Sequence, residues 1–120
     1  MNEDDLRLRT KEFALRIIKL ADSLPKNASG KAIGTQIIRS GTSIGANYRA
    51  ACRARSTNEF VSKLGIVLEE SDETVFWIEL IIESNLLSKE KMQSIHKEAN
   101  ELTAIFASSI KSCKNKVSNI

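Results

Sequence analysis

Three glycines, Gly34, Gly41 and Gly45, lie inside a stretch whose apolar residues return at helical spacing, with Ile33, Ile37, Gly41, Ile44 and Tyr48 on one face. Each interior glycine costs a helix about 0.8–1 kcal/mol relative to alanine. Thr35, Ile37, Ile38, Thr42 and Ile44 add side chains that are stiff at χ1. A helix built this way does not hold in water by itself and needs tertiary packing. The glycines then have a use, because they let a neighbouring backbone come close. The same region, RSGTSIGANYRAACRARSTNEF from Arg39 to Phe60, also carries Arg49, Arg53 and Arg55. It calls for close packing on one side and positive charge on another.

The remaining pattern is helical as well. A chain of 120 residues suits one domain with one core. Hydrophobic residues make up 42% and charged residues 28%, which excludes wholesale disorder. Five glycines, one proline and few period-two alternations favour an all-α reading over a sheet. The spacing predicts four helices over about residues 4–24, 30–54, 57–84 and 89–112 of a single domain, 1–120. Pro25 stops the first helix after a face of Leu6, Phe13, Ile17, Leu20 and Leu24. Ser29 is the expected N-cap of the second. Ser56-Thr57-Asn58-Glu59 is a capping-box pattern that opens the third, whose expected core face is Phe60, Leu64, Val67, Leu68, Ser71, Val75, Ile78 and Ile82. Asn85 can take the left-handed conformation that ends a helix, and Ser88 can cap the next. Met92, Ile95, Ala99, Leu102, Phe106, Ile110 and Cys113 form the stripe of the fourth, and the tail KNKVSNI reads as short, polar and frayed. Short connections argue for an antiparallel up-down-up-down bundle.

A second apolar strip sets the third helix apart. Ile66, Trp77 and Leu80 lie roughly opposite its core face, among Glu69, Glu70 and Glu73. Leu8 and Leu15 make a weaker version on the first helix, and the fourth has none. A monomeric bundle wants one stripe per helix, so these residues, with Glu73, are the candidate oligomer interface.

Catalytic groupings are scarce. His96 is the only histidine, and Gln93 stands where a Glu-x-x-His di-iron motif would need its carboxylate. Ser29-Gly30-Lys31 is a fragment of a phosphate loop without the preceding glycine. Glu69, Glu70, Asp72 and Glu73 read as a solvated or ion-paired face rather than a metal site. Cys52 and Cys113 lack metal spacing and read as small buried side chains of a reducing compartment. The expectation is therefore no enzyme, no cofactor and no metal. No run reaches the roughly 18 apolar residues of a membrane span, and MNEDDLRLRT lacks an apolar signal region, so a cytoplasmic location is expected.

Charge is the positive signal. The net charge of +3 hides a basic first half, where residues 1–56 hold eleven Lys/Arg and five Asp/Glu. Residues 57–87 hold Lys63 against seven acids, and residues 88–120 six lysines against three acids. On a helical projection Lys31, Arg39, Arg49 and Arg53 gather away from Ile33, Ile37 and Ile44, with Arg55 following. Arginine pairs bidentately with phosphate, so these five are candidate contacts to RNA or DNA. No aromatic residue interleaves with them, so base stacking and sequence-specific reading are not expected. The alternative is a solvated face or salt bridges to the acids of the third helix, in a protein–protein scaffold with no nucleic-acid role.

At these residues the chain resembles a known family. Arg39 to Tyr48, then Arg55-Ser56 and Glu59-Phe60, with Leu24-Pro25-Lys26 before them and EESDETVFWIEL from Glu69 to Leu80 after, are similar to the bacterial four-helix-bundle family typified by the 23S ribosomal-RNA intervening-sequence proteins. The similarity spans about residues 10–110, and Ala50 stands where many relatives carry Glu. The resemblance implies an antiparallel four-helix bundle assembling into a ring-like homopentamer. A related group, the accessory protein of diversity-generating retroelements, is a basic pentamer that binds a reverse transcriptase and nucleic acid. No catalytic residues come with the family.

Overall fold

A helix begins where a short polar side chain can take its first free backbone N–H groups. The computed structural model, which describes residues 1–118, places such a residue before each of four helices: α1 (Glu3–Asp22), α2 (Ala28–Cys52), α3 (Thr57–Glu83) and α4 (Lys89–Ser118). Asn2 Oδ1 accepts from the Asp5 N–H at 2.8 Å, and the Asp5 carboxylate accepts from the Asn2 N–H. Ser56 Oγ accepts from the Glu59 N–H at 3.1 Å, and Ser88 Oγ from the Lys91 N–H at 3.3 Å.

Four boundaries differ from the sequence expectation by two residues or more. α1 stops at Asp22 with Ser23 as its C-cap, so Leu24 is buried in the connection rather than in the helix. α2 begins two residues early, because Asn27 and not Ser29 takes the cap, its Oδ1 accepting from the Gly30 N–H at 2.8 Å. Ser29 Oγ instead donates to Asn27 Oδ1 at 3.2 Å. At its other end α2 closes at Cys52, with Arg53 as C-cap. Glu59 does reach back, but to the N–H of Arg55 at 3.2 Å, one residue before the cap. α3 ends at Glu83, and Asn85 takes φ 59° as expected, bringing the Leu86 N–H to the Ile81 carbonyl at 3.1 Å. α4 continues to Ser118, through most of the tail read as frayed, since Lys111 to Lys116 hold no glycine or proline to stop it. Asn119 and Ile120 lie outside the described residues.

The glycines of α2 set the tightest packing. A Cβ on Gly41 would stand 2.8 Å from Ile17 Cγ2, and one on Gly45 would stand 3.3 Å from Thr10 Oγ1. One on Gly34 would meet Leu24 at 3.6 Å. Later residues of α2 thus meet earlier residues of α1, so this pair runs antiparallel. Across α3 and α4, Ser71 meets Thr103 at 2.6 Å and Glu79 faces His96, the same sense of pairing. Between α1 and α4, Arg9 donates to Glu98 at 2.8 and 2.6 Å and to Glu101 at 2.8 Å, while Arg16 donates to Ser94. Thr74 Oγ1 donates to Ser40 Oγ at 2.9 Å between α3 and α2.

Phe13, Ile17, Ile37, Ile44, Leu64, Ile78, Met92, Leu102 and Phe106 are fully buried at the centre. Ile81, not the expected Ile82, completes the α3 face, and Ile82, Phe60 and Leu68 pack at its margin. Four small polar residues are buried too, and each has a hydrogen bond, as burial requires: Thr10 to the Leu6 carbonyl, Ser40 with Thr74, and Ser71 with Thr103.

Two glycine substitutions separate packing from propensity. Gly41→Ala must push against Ile17, a buried β-branched side chain with little rotamer freedom, and should lose about 1–3 kcal/mol. Gly65→Ala, with nothing within 4 Å of the new Cβ, should gain up to about 1 kcal/mol. Urea unfolding of both variants checks the opposite signs.

Candidate nucleic-acid interface

The five basic candidates are spread along α2 and its following connection and differ in what engages them. Arg49 lies in the last turn of α2, Arg53 caps the helix, and Arg55 sits in the connection to α3, where Glu59 holds its N–H. All three are exposed, and none joins an ion pair among the described residues. Lys31 is exposed in the first turn of α2, about 27 Å from Arg49 along the axis at roughly 1.5 Å per residue. Between them, Arg39 is bonded to Glu73 and to Glu70, the latter at 3.2 Å, and the hydrogen bond it donates to Glu73 raises its pKa further. For Arg39 the salt-bridge alternative therefore holds. The projection alone did not show that Glu70 and Glu73 reach across from α3.

Two cations on α1 were missed by a reading confined to α2. Arg7 and Lys11 line a groove of about 470 Å³ with Leu8, Thr42, Gly45 and Arg49. Arg7 is bridged to Asp4, whereas Lys11 is exposed. Lys111, inside the helix expected to reach Ser112, was missed as well, as were Lys114 and Lys116 in the tail expected to fray; all three are exposed on α4. The signal was present in the alternation of lysine with helix-tolerant residues after Phe106.

The candidate oligomer residues divide differently. Leu8, Leu15 and Ile66 are exposed, and Ile18 and Ile38 join the first two on the outer side of α1 and α2. Trp77 is not opposite the core: it is half-buried against it, with Nε1 shielded and lacking a hydrogen-bond partner among the described residues. The exposed aromatic is its neighbour Phe76, in edge contact at 5.1 Å. Leu80 is half-buried and Glu73 is engaged by Arg39 of its own chain.

The residues weighed for catalysis fall apart in space. His96 Nε2 lies 3.9 Å from Glu79 in an open groove between α3 and α4, and the two cysteines are half-buried and unpaired. Burial pushes the Cys52 thiol up, which keeps it protonated at neutral pH. Among the described residues no helix is long and apolar enough to cross a membrane.

A glycine-tightened helical bundle with uncompensated cations at the end of α2 defines a small, all-α, basic protein. The family model described as 23S rRNA-intervening sequence protein matches residues 5–108, and the chain belongs to that family. The crystal structure of a protein with unknown function from the S23 ribosomal protein family of Bacteroides thetaiotaomicron VPI-5482 is similar to it at 38% identity and a TM-score of 0.85, covering 92% of this chain and 99% of that one. Comparison with curated proteins returns no match.

Replacing Arg39 with Gln should release Glu70 and Glu73 and lower stability only slightly, since the Arg39 side chain is exposed. The loss should shrink as salt is added, and urea titrations at two ionic strengths measure it.

Proposed function

We propose that this protein is a non-enzymatic, cytoplasmic, up-down-up-down bundle that self-associates and binds RNA or DNA as a ribonucleoprotein accessory. The observation that carries the reading is the set of Arg49, Arg53 and Arg55, exposed on a rigid helix end and its loop with no ion pair among the described residues. Guanidinium groups placed this way suit phosphate, which favours contact with backbone rather than with bases. The RNA-related name of the family supports the same direction. A reverse transcriptase, which the retroelement resemblance implies as a partner, would show in copurification.

Self-association is supported by the exposed apolar residues. Leu8 lines a groove with Arg7, Lys11 and Arg49, whereas Ile66 and Phe76 share α3 with Glu69 and Asp72. Two different faces of opposite charge favour a head-to-tail contact, and such contacts close into rings when the rotation allows. The pentamer implied by the resemblance is one such ring. A second reading, a protein scaffold without nucleic acid, draws on Arg39, whose charge already serves a protein contact.

Binding to single- and double-stranded RNA and DNA should weaken steeply with salt. Arg49→Glu with Arg53→Glu should weaken it about tenfold or more while light scattering keeps the assembly mass. Wild-type protein that binds none of these at low salt would refute the nucleic-acid reading, and loss of assembly in the same variant would favour the scaffold. Phe76→Asp should lower the assembly mass with the helix content intact.

A further inference from the structure

Resting on that nucleic-acid reading, we infer that the phosphodiester backbone is held at one end of the bundle, by a cluster built from the end of α2 and the last turns of α4, and not along the length of α2. The register of the two helices comes from Tyr48 and Phe106, whose rings lie 5.7 Å apart in the core. Tyr48 and Phe106 each precede a cation, Arg53 and Lys111, by the same number of residues, so both helices reach the same level about 7.5 Å beyond the aromatic contact. α4 then continues, carrying Lys114 and Lys116 past the level at which Arg53 caps α2. Arg55 follows in the adjoining connection. One end of the molecule therefore presents Arg49, Arg53 and Arg55 from one side and Lys111, Lys114 and Lys116 from another, all exposed.

The acids at this end are largely engaged elsewhere. Asp4 is bound to Arg7, Asp5 accepts from the Asn2 N–H, and Glu59 accepts from the Arg55 N–H. Glu3 alone has no side-chain hydrogen bond or ion pair among the described residues. None of the six cations joins an ion pair among the described residues. The lysines of α4 lie beyond the residues 5–108 that match the family, so this half of the cluster is not part of the matched region. A simpler role would be to offset the negative pole at the C-terminal ends of α2 and α4. That role predicts a change in helix stability and none in binding.

The test uses the full chain and fluorescence anisotropy with a labelled single-stranded RNA and a labelled DNA duplex across a sodium chloride series. A triple variant, Lys111→Gln, Lys114→Gln and Lys116→Gln, keeps good helix formers and removes three charges. Lys19→Gln, Lys26→Gln and Lys89→Gln remove the same charge at the opposite end. The α4 variant should bind about tenfold or more weakly and lose about 2 from the slope of log K against log salt, while the opposite-end variant changes less than about twofold. Replacing the three α4 lysines with arginine should restore binding. Equal weakening by both glutamine triples, or wild-type affinity in the α4 triple while the parent binds, would overturn the cluster and leave the nucleic-acid reading standing. Displacement of RNA by polyglutamate as readily as by unlabelled RNA would also overturn it, in favour of an acidic peptide. A parent protein that binds neither probe at low salt would refute the underlying reading itself.

Discussion

The approach of α2 to α1 at Gly41 and Gly45 is the constraint from which the rest of the bundle follows. With Ile17 and Thr10 in the space a Cβ would fill, α2 sits close to α1 in one register. The poor helix propensity of α2 is thereby offset by contact, and the helix is stable only where it is packed. Ile37, Ile44 and Tyr48 are then driven into the core, and Arg49, Arg53 and Arg55 are carried outward at its end. Asn27 and Gly30 make the tight entry, where any side chain at position 30 would collide with the Pro25 carbonyl. The same residues that look like a sequence oddity are thus the geometric reason that a basic end exists.

Most of the architecture was legible because periodicity reports burial directly. Leu6, Phe13, Ile17, Leu64, Ile78 and Phe106 were read as core and are buried. The failures have physical causes. Thr10, Ser40 and Thr74 are buried because each finds a hydrogen bond in or across its helix, which hydropathy does not record. The α3 face drifts by one residue near its end, so Ile81 replaces Ile82, as a helix of 27 residues turns relative to its neighbours. Asn27 prevails over Ser29 because its side chain reaches the Gly30 N–H while Ser29 becomes its donor. The pairs Trp77 and Phe76 differ in exposure for a reason no projection of one helix contains, namely which neighbour lies beside it.

The charge asymmetry of the sequence becomes specific once heights along the bundle are known. The acids of α3 run from Glu69 to Glu83, in the half of that helix that faces Arg39 on α2. Cations at that level are engaged, as Arg39 is by Glu70 and Glu73 and as Arg9 is by Glu98 and Glu101 across α1 and α4. The first twelve residues of α3 offer Glu59 alone, and Glu59 is turned to a backbone N–H.

Cations level with that stretch meet few free acids, since Asp4 is held by Arg7, and Asp5 and Glu59 accept from backbone N–H groups. Antiparallel pairing is what separates the two populations: a helix entering low brings its early residues beside the late residues of the one before it. Had α3 run parallel to α2, Glu69 to Glu83 would have stood across from Arg49 and Arg53, and the basic end would have been neutralised within the chain. Ion pairs at the surface contribute little to stability, so the fold does not depend on where Arg39 finds its partners. Core packing decides the topology, and the topology decides which charges remain to meet a partner.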